Sequence, residues 1–270
     1  MEFSVLLSIY RKEKPEFLRQ CLDSIFAQTM TASEIILVKD GPLTAELDAV
    51  IDEYQQAHQE LKTVKLDTNM GLGHALNFGL LHCSNDIVAR MDTDDICLPE
   101  RFEREAGYLM RHPEVSVVGS WVDEFSENPS CITSTRKVPE EHNDILGYSR
   151  KRNPMNHPSV MFRKQAVLNA GNYLHCPLFE DYYLWIRMFA NGARFHNLQQ
   201  SLLLFRMSPQ TFIRRGGSHY MRHEANFQWK MFRLGHTGFF RMMTNIAIRM
   251  SVRLLPNHLR KQAYLRLLRS

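Results

Sequence analysis

Residues 86–95 read Asp-Ile-Val-Ala-Arg-Met-Asp-Thr-Asp-Asp. A short apolar run over 87–91 has the look of a buried strand, and it stops at three carboxylates in four positions: Asp92, Asp94 and Asp95. Acidic groups crowded at a buried strand end repel one another and cost stability. A divalent cation would relieve that repulsion. Hard oxygen donors suit Mg²⁺ or Mn²⁺, which keep coordination positions for water or phosphate. The same residues also fit an Asp-rich turn capping the helical pattern that opens at Pro99 and Glu100. On this stretch alone both readings stand.

The elements that must position this cluster alternate along the first half. Strand signals at 3–9, 34–38, 63–66 and 87–91 are separated by helical patterns. The first begins at Pro15 and sets Phe17, Leu18, Cys21, Leu22, Ile25 and Phe26 on one face. The second covers 43–58 and the third 74–82. Such alternation predicts right-handed crossovers and a mainly parallel sheet, with ligands beyond the carboxyl ends of its strands. Those ends are Tyr10, Asp40, 67–69 and 92–95, so polar and acidic residues gather on one edge. Further on we expect a helix over 99–111, a strand over 115–122 and a hairpin or irregular excursion over 123–138. Strands at 159–162 and 201–206, a helix over 184–190 and a basic loop over 208–219 follow. From 220 the pattern is helical, broken by Gly235, Gly238 and Pro256.

Composition narrows the class. With 44% hydrophobic and 23% charged residues the chain is an ordinary globular protein, and 270 residues suffice for one large domain with an appendage or for two small domains. Cys21, Cys83, Cys97, Cys131 and Cys176 are scattered without a Cys-x-x-Cys pair. That spacing argues against a zinc site or disulfide framework and fits a reducing cytoplasm. Neither a secretory signal nor a membrane-spanning helix is expected.

Charge is divided unevenly. Of 33 Lys and Arg, nine follow Glu224, while all 29 Asp and Glu lie at or before it. The body is therefore mildly acidic and the tail strongly basic. Tail residues such as Phe239, Phe240, Ile246 and Leu254 alternate with Arg241, Arg249 and Arg253, the pattern of an amphipathic basic helix lying on an anionic membrane. A helix packed on the body with an exposed basic face is the competing reading. No nucleic-acid module is present and the body is acidic, so nucleic acid is not an expected partner.

Four motifs, in order, carry a resemblance over about residues 1–220. Ser8-Ile9-Tyr10-Arg11-Lys12-Glu13 opens the chain. Val38-Lys39-Asp40-Gly41 ends the second strand. Asp92-Thr93-Asp94-Asp95 follows the fourth, and Glu180-Asp181-Tyr182-Tyr183-Leu184-Trp185-Ile186-Arg187 comes late. Together they resemble an inverting glycosyltransferase of family 2, nearest in impression to bacterial enzymes that build O-antigen or other surface polysaccharide on a lipid diphosphate.

The resemblance implies an α/β GT-A fold, Rossmann-like with a mainly parallel central sheet. A catalytic domain at 1–220 would carry a basic amphipathic helical tail at 221–270. It implies transfer of galactose, glucose or an N-acetylhexosamine from a UDP-sugar to a polyprenyl-diphosphate-linked saccharide, forming a β-linkage. Mn²⁺ or Mg²⁺ would be held by Asp94 with Asp92, and Asp95 would only cap the following helix. Asp181 would be the general base and Glu180 would orient the acceptor or the loop. The nucleotide-sugar would meet Ser8, Tyr10, Glu13, Asp40, Asn69, Asp92 and Thr93. His157 is a plausible acceptor-side or phosphate contact. Arg206, Arg214 and Arg215 match phosphate oxygens with guanidinium forks. The enzyme would work in the cytoplasm, on the inner face of the membrane through its tail.

The chain departs from the family pattern at three places. Leu76 stands in Gly71-Leu72-Gly73-His74-Ala75-Leu76-Asn77 where an Arg is common. Tyr183 replaces a frequent Asp, and Arg11 a frequent Asn. Gly71-x-Gly73 follows the third strand and has no third glycine, which excludes a dinucleotide fingerprint. A nucleotidyltransferase is the alternative enzyme class, but 8–13 lacks its Gly-rich basic loop. A catalytically inactive assembly scaffold is the non-enzyme alternative, and the intact Asp94 and Asp181 argue against it.

Overall fold

Three apolar runs and one amphipathic edge strand build the first half of the sheet. β1 (Ser4–Ile9), β2 (Glu34–Asp40), β3 (Leu61–Leu66) and β4 (Ile87–Arg90) lie in the order β3-β2-β1-β4, all parallel. Strand order reverses beside β1, which opens a crevice at the carboxyl ends of β1 and β4. The computed structural model describes residues 1–207 and 217–254, apart from the side chains of 217–219 and 252–254.

The sheet continues past β4 with mixed pairing. β8 (Met161–Arg163) is antiparallel to β4 and to β6 (Val115–Phe125). β9 (Arg194–Arg206) runs parallel to β6. β5 (Ile96–Cys97) closes the far edge against β9, and β7 (Ile132–Arg136) folds back on β6. Parallel pairings carry most of the sheet's length, as the alternation predicts.

Helices cover both faces. α1 (Pro15–Phe26) starts with Pro in its first turn and buries Leu18, Cys21, Leu22 and Ile25. Leu18, Leu22 and Ile25 each contribute about 1.5–3 kcal/mol by leaving water. α2 (Ala45–Ala57) is capped by Thr44, whose side chain accepts the Leu47 N–H at 3.4 Å. These two and α4 (Arg101–Arg111) pack on Val5, Leu7 and Ile9 of β1. α3 (Leu72–His82) and α7 (Glu180–Ala190) pack on the other face, with Leu6, Ile36, Val38 and Val88.

Several elements differ from the sequence expectation, for identifiable reasons. α5 (His142–Tyr148) and α6 (Lys164–Asn169) were not anticipated, being too short to show a helical period or to persist alone. β9 begins at Arg194, seven residues before the expected start. Its early part is polar and held from outside: Asn197 Nδ2 donates to the carbonyl of Pro139 at 2.7 Å, and Gln199 Nε2 to that of Val138. α7 begins at Glu180, so Asp181 sits inside the first turn, with Phe179 at the N-cap.

The last two helices are α8 (Gly217–Arg233) and α9 (Phe239–Leu254). Tyr220, Phe227 and Met231 of α8 join Cys176, Phe179, Tyr182 and Ile186 in one apolar cluster, with the Phe227 and Phe179 rings stacked at 4.7 Å. α8 is therefore packed directly on α7. No helix among the described residues is long and apolar enough to cross a membrane.

Candidate active site

The acidic strand end is a true cluster in space. Asp92, Asp94 and Asp95 each bring one carboxylate oxygen within 4.8 Å of the others. Burial, then the Asp92 and Glu13 charges, push the Asp94 carboxyl up to about 7. Asp95 is wholly buried, and burial followed by Asp94 and Asp92 holds its carboxyl far above the usual range. Its Oδ1 accepts the backbone N–H of Arg206 at 2.8 Å, while Oδ2 has no hydrogen-bond partner. Asp95 does not cap the next helix: α4 starts at Arg101 with Glu100 as N-cap. Three mutually repelling carboxylates, one with a buried unpartnered oxygen, fit a hard divalent cation.

Two arginines brace this cluster. Arg90 is 1% exposed and its Nη2 donates to Asp92 Oδ1. Its Nε and Nη1 are buried without a hydrogen-bond partner, although Asp94, Asp95 and Asp181 all feel its charge. Arg206, at the end of β9, donates from Nε to the Asp94 carbonyl at 2.8 Å. Its guanidinium lies 3.9 Å from the Phe17 ring centroid and 4.5 Å from that of Phe125. Arg206 thus holds the backbone of the acidic turn. Thr93 is buried and donates from Oγ1 to Glu13 Oε2 at 2.9 Å, joining the end of β4 to the loop after β1. Burial raises the Glu13 carboxyl above its ordinary value.

Asp40 organises the neighbouring strand ends. Its carboxylate accepts the backbone N–H of Met70 at 2.7 Å, that of Gly71 at 3.0 Å, and Asn69 Nδ2 at 3.0 Å. This folds the loop after β3 over the end of β2. Gly41 permits the approach: its φ is +84°, and a Cβ there would meet Asn69 N at 2.6 Å. Ser8 is half-buried at the end of β1, and Tyr10 is exposed just beyond it.

Glu180 and Asp181 enter from the first turn of α7, where the helix N-terminus favours negative charge. Asp181 accepts a hydrogen bond from Asn153 Nδ2. Burial pushes its carboxyl above the usual range, opposed by the Tyr182 backbone N–H, by Asn153 and by the charges of Arg90 and Arg136. Burial raises Glu180 to about 7. The Glu180 side chain passes over α3 at Gly73, where a Cβ would lie 2.8 Å from its Cγ. That close passage is the physical use of Gly73.

His157 lies in the interior, its Nε2 2.9 Å from the Tyr173 hydroxyl and its ring edge-on to Trp185. Burial and the neighbouring Arg90 keep it neutral. Leu76 is fully buried in the apolar core and supplies no polar contact. Arg214 and Arg215 lie outside the described residues. The sequence reading assigned no role to Arg90, Asn153 or Tyr173. One signal for Arg90 was legible: a charged residue interrupting an apolar strand is costly unless it is paired.

Comparison with known proteins agrees with this geometry. The family profile described as Glycosyl transferase family 2 matches residues 4–171. The chain is 41% identical to an Escherichia coli protein named UDP-Gal:alpha-D-GlcNAc-diphosphoundecaprenol beta-1,3-galactosyltransferase, over 99% of this chain and 97% of that one. It is 44% identical to an amylovoran biosynthesis glycosyltransferase of Erwinia amylovora, over 94% of each. Among solved structures, S. aureus TarS 1–349 in complex with UDP-GlcNAc superposes with a TM-score of 0.68 at 16% identity, covering 99% of this chain and 76% of that one.

Proposed function

The chain belongs to glycosyl transferase family 2, with the GT-A fold, and on that premise we propose that it transfers a hexosyl group from a UDP-sugar to a lipid-diphosphate-linked saccharide in surface polysaccharide synthesis. Near full-length identity to the galactosyltransferase supports UDP-galactose as the first donor to try, with UDP-glucose and UDP-N-acetylhexosamines next. The observation that carries the reading is that an acidic, cation-ready strand end and a half-buried Asp181 both lie within the field of one buried Arg90.

In this reading the chain divides the work among its strand ends. Asp94 would be the principal ligand of Mn²⁺ or Mg²⁺, with Asp92 contributing and Asp95 completing the cluster. Such a cation supplies charge neutralisation for the leaving diphosphate. Asp40, Asn69, Ser8, Tyr10, Glu13 and Thr93 form the nucleotide side. Asp181 takes the proton from the acceptor hydroxyl as it attacks the anomeric carbon from the face opposite the diphosphate, which inverts the configuration and gives a β-linkage from an α-linked donor. A positioned base of this kind is worth about 10²–10⁴-fold in rate. Burial raises its carboxyl above the ordinary value, which makes it a stronger base than a free aspartate. Glu180 orients the acceptor beside it.

We place catalysis in residues 1–220 and attachment to the inner face of the membrane in 221–270. The test is a donor screen measuring UDP release with a GlcNAc-diphosphate-lipid acceptor, with and without Mn²⁺. Release from one UDP-sugar that requires both the acceptor and the cation is expected. Acceptor-independent release, or none from any UDP-sugar, would overturn the reading.

A further inference from the structure

The surface where α8 turns into α9 is aromatic. On its inner side α8 packs Tyr220, Phe227 and Met231 against α7. On its outer side Trp229, Phe239 and Met243 are about half exposed, and Phe240 is 85% exposed. The rings run in series: Trp229 to Phe232 at 5.5 Å, Phe232 to Phe239 at 6.1 Å, and Phe239 to Phe240 at 5.9 Å. Leaving such a ridge in water forfeits the stabilisation that burying each ring would give.

The charge carried by the chain beyond Glu224 has one sign. Arg233 and Arg241 are exposed on either side of the elbow. No carboxylate follows Glu224, and Glu224 itself is buried and paired with Arg249 at 2.8 Å. Arg249, which the sequence reading set on the basic face, is thus turned inward. An aromatic ridge flanked by exposed arginines complements an anionic bilayer: the rings suit the acyl boundary and the guanidinium groups suit the lipid phosphates.

The position also suits a lipid-linked acceptor. His236 of the elbow stacks on Phe189, in the last turn of α7, at 6.0 Å. Asp181 lies in the first turn of the same helix, about 12 Å away along its axis at about 1.5 Å per residue.

We propose that the α8–α9 elbow is a membrane wedge, with Phe239 and Phe240 entering the acyl boundary of an anionic bilayer and Arg233 and Arg241 on its phosphates. This rests on the reading that the acceptor is lipid-linked. It assigns bilayer entry to the elbow at Phe239 and Phe240.

The full chain is mixed with phosphatidylcholine vesicles containing a minority of phosphatidylglycerol, and partitioning is read by sedimentation. The expected result is a loss of about tenfold or more for Phe240→Ser. Its turnover on a short, water-soluble acceptor diphosphate should be unchanged. Vesicles should shift the tryptophan emission to the blue, and Trp229→Phe should remove the shift. If the native chain binds and Phe240→Ser binds equally, the elbow proposal is overturned while membrane attachment stands. If the native chain does not bind these vesicles, attachment fails with it. If Phe240→Ser instead dissociates a lipid-free dimer, the ridge is an interface between copies and the wedge is overturned.

Discussion

Arg206 donates its backbone N–H to Asp95 Oδ1 at 2.8 Å, joining the last residue of β9 to an acidic turn 111 positions earlier. The other Asp95 oxygen is buried and unpartnered. Asp95→Asn keeps an acceptor for the N–H and removes one repelling charge. Without metal its Tm should equal or exceed that of the native chain, because an uncompensated buried charge has gone. Mn²⁺ affinity, measured by calorimetry with UDP present, should fall about 10–100-fold. A lower Tm with intact Mn²⁺ affinity would return Asp95 to a structural role.

Asp181→Asn should lower kcat by about 10²–10⁴-fold and leave the Kd for the UDP-sugar unchanged. The Asn153 side chain donates to this carboxylate and holds its pKa down against burial. Asn153→Ala should therefore shift the acidic limb of the kcat profile to higher pH, with kcat on the plateau kept. An unmoved limb would remove Asp181 as the titrating base.

Arg90 is the buried cation shared by the acidic turn and Asp181. Arg90→Met leaves Asp92 without its partner and weakens the field on Asp94, Asp95 and Asp181. Removing one partner of a buried pair costs about 3–5 kcal/mol. Expected outcomes are a lower Tm by thermal melt and a kcat/KM reduced by about tenfold or more, with the acidic limb moved upward. Arg90→Lys should recover part of the limb shift, since charge is retained while the fork is lost.

Glu180 titrates at about 7 in the fold against 4.5 for an ordinary glutamate, because of burial. The folded state therefore holds this proton more tightly than the unfolded chain. The stability it confers is complete below about pH 4.5 and is lost as pH rises through about 7. Glu180→Gln should raise Tm at pH 8 by about 2–4 °C and leave it unchanged at pH 4. An equal shift at both values would contradict the assignment.

Asp40→Ala removes the acceptor for two backbone amides and the Asn69 side chain. Each amide left unpaired costs about 1–3 kcal/mol where water cannot replace the bond. The 69–71 loop should then exchange amide hydrogen faster, and KM for the UDP-sugar should rise with kcat little changed. Unchanged exchange at Met70 and Gly71 would show that the loop holds itself.

Much of this was legible in the chain itself. Alternating apolar runs and helical periods determined the parallel order of the first half and the edge on which Tyr10, Asp40 and the acidic turn gather. Those signals are local: a period of two or of 3.6 and a turn residue are properties of a few neighbouring positions. Motif order, through the family resemblance, pointed to Glu180 and Asp181 as candidates for the same site. Short elements such as α5, α6 and β5 left no such period, because contacts from distant strands stabilise them.

The tertiary structure decided where each carboxylate sits and what it touches. A cap and a buried cluster member look alike in Asp94-Asp95, and only the approach of Arg206 from β9 distinguishes them. Arg90 reads as a lone charge in an apolar strand until Asp92 turns back to meet it and α7 brings Asp181 into its field. That Arg249 turns inward to Glu224 while Phe240 stays exposed depends on how α9 packs against α8, a tertiary contact that no local pattern encodes.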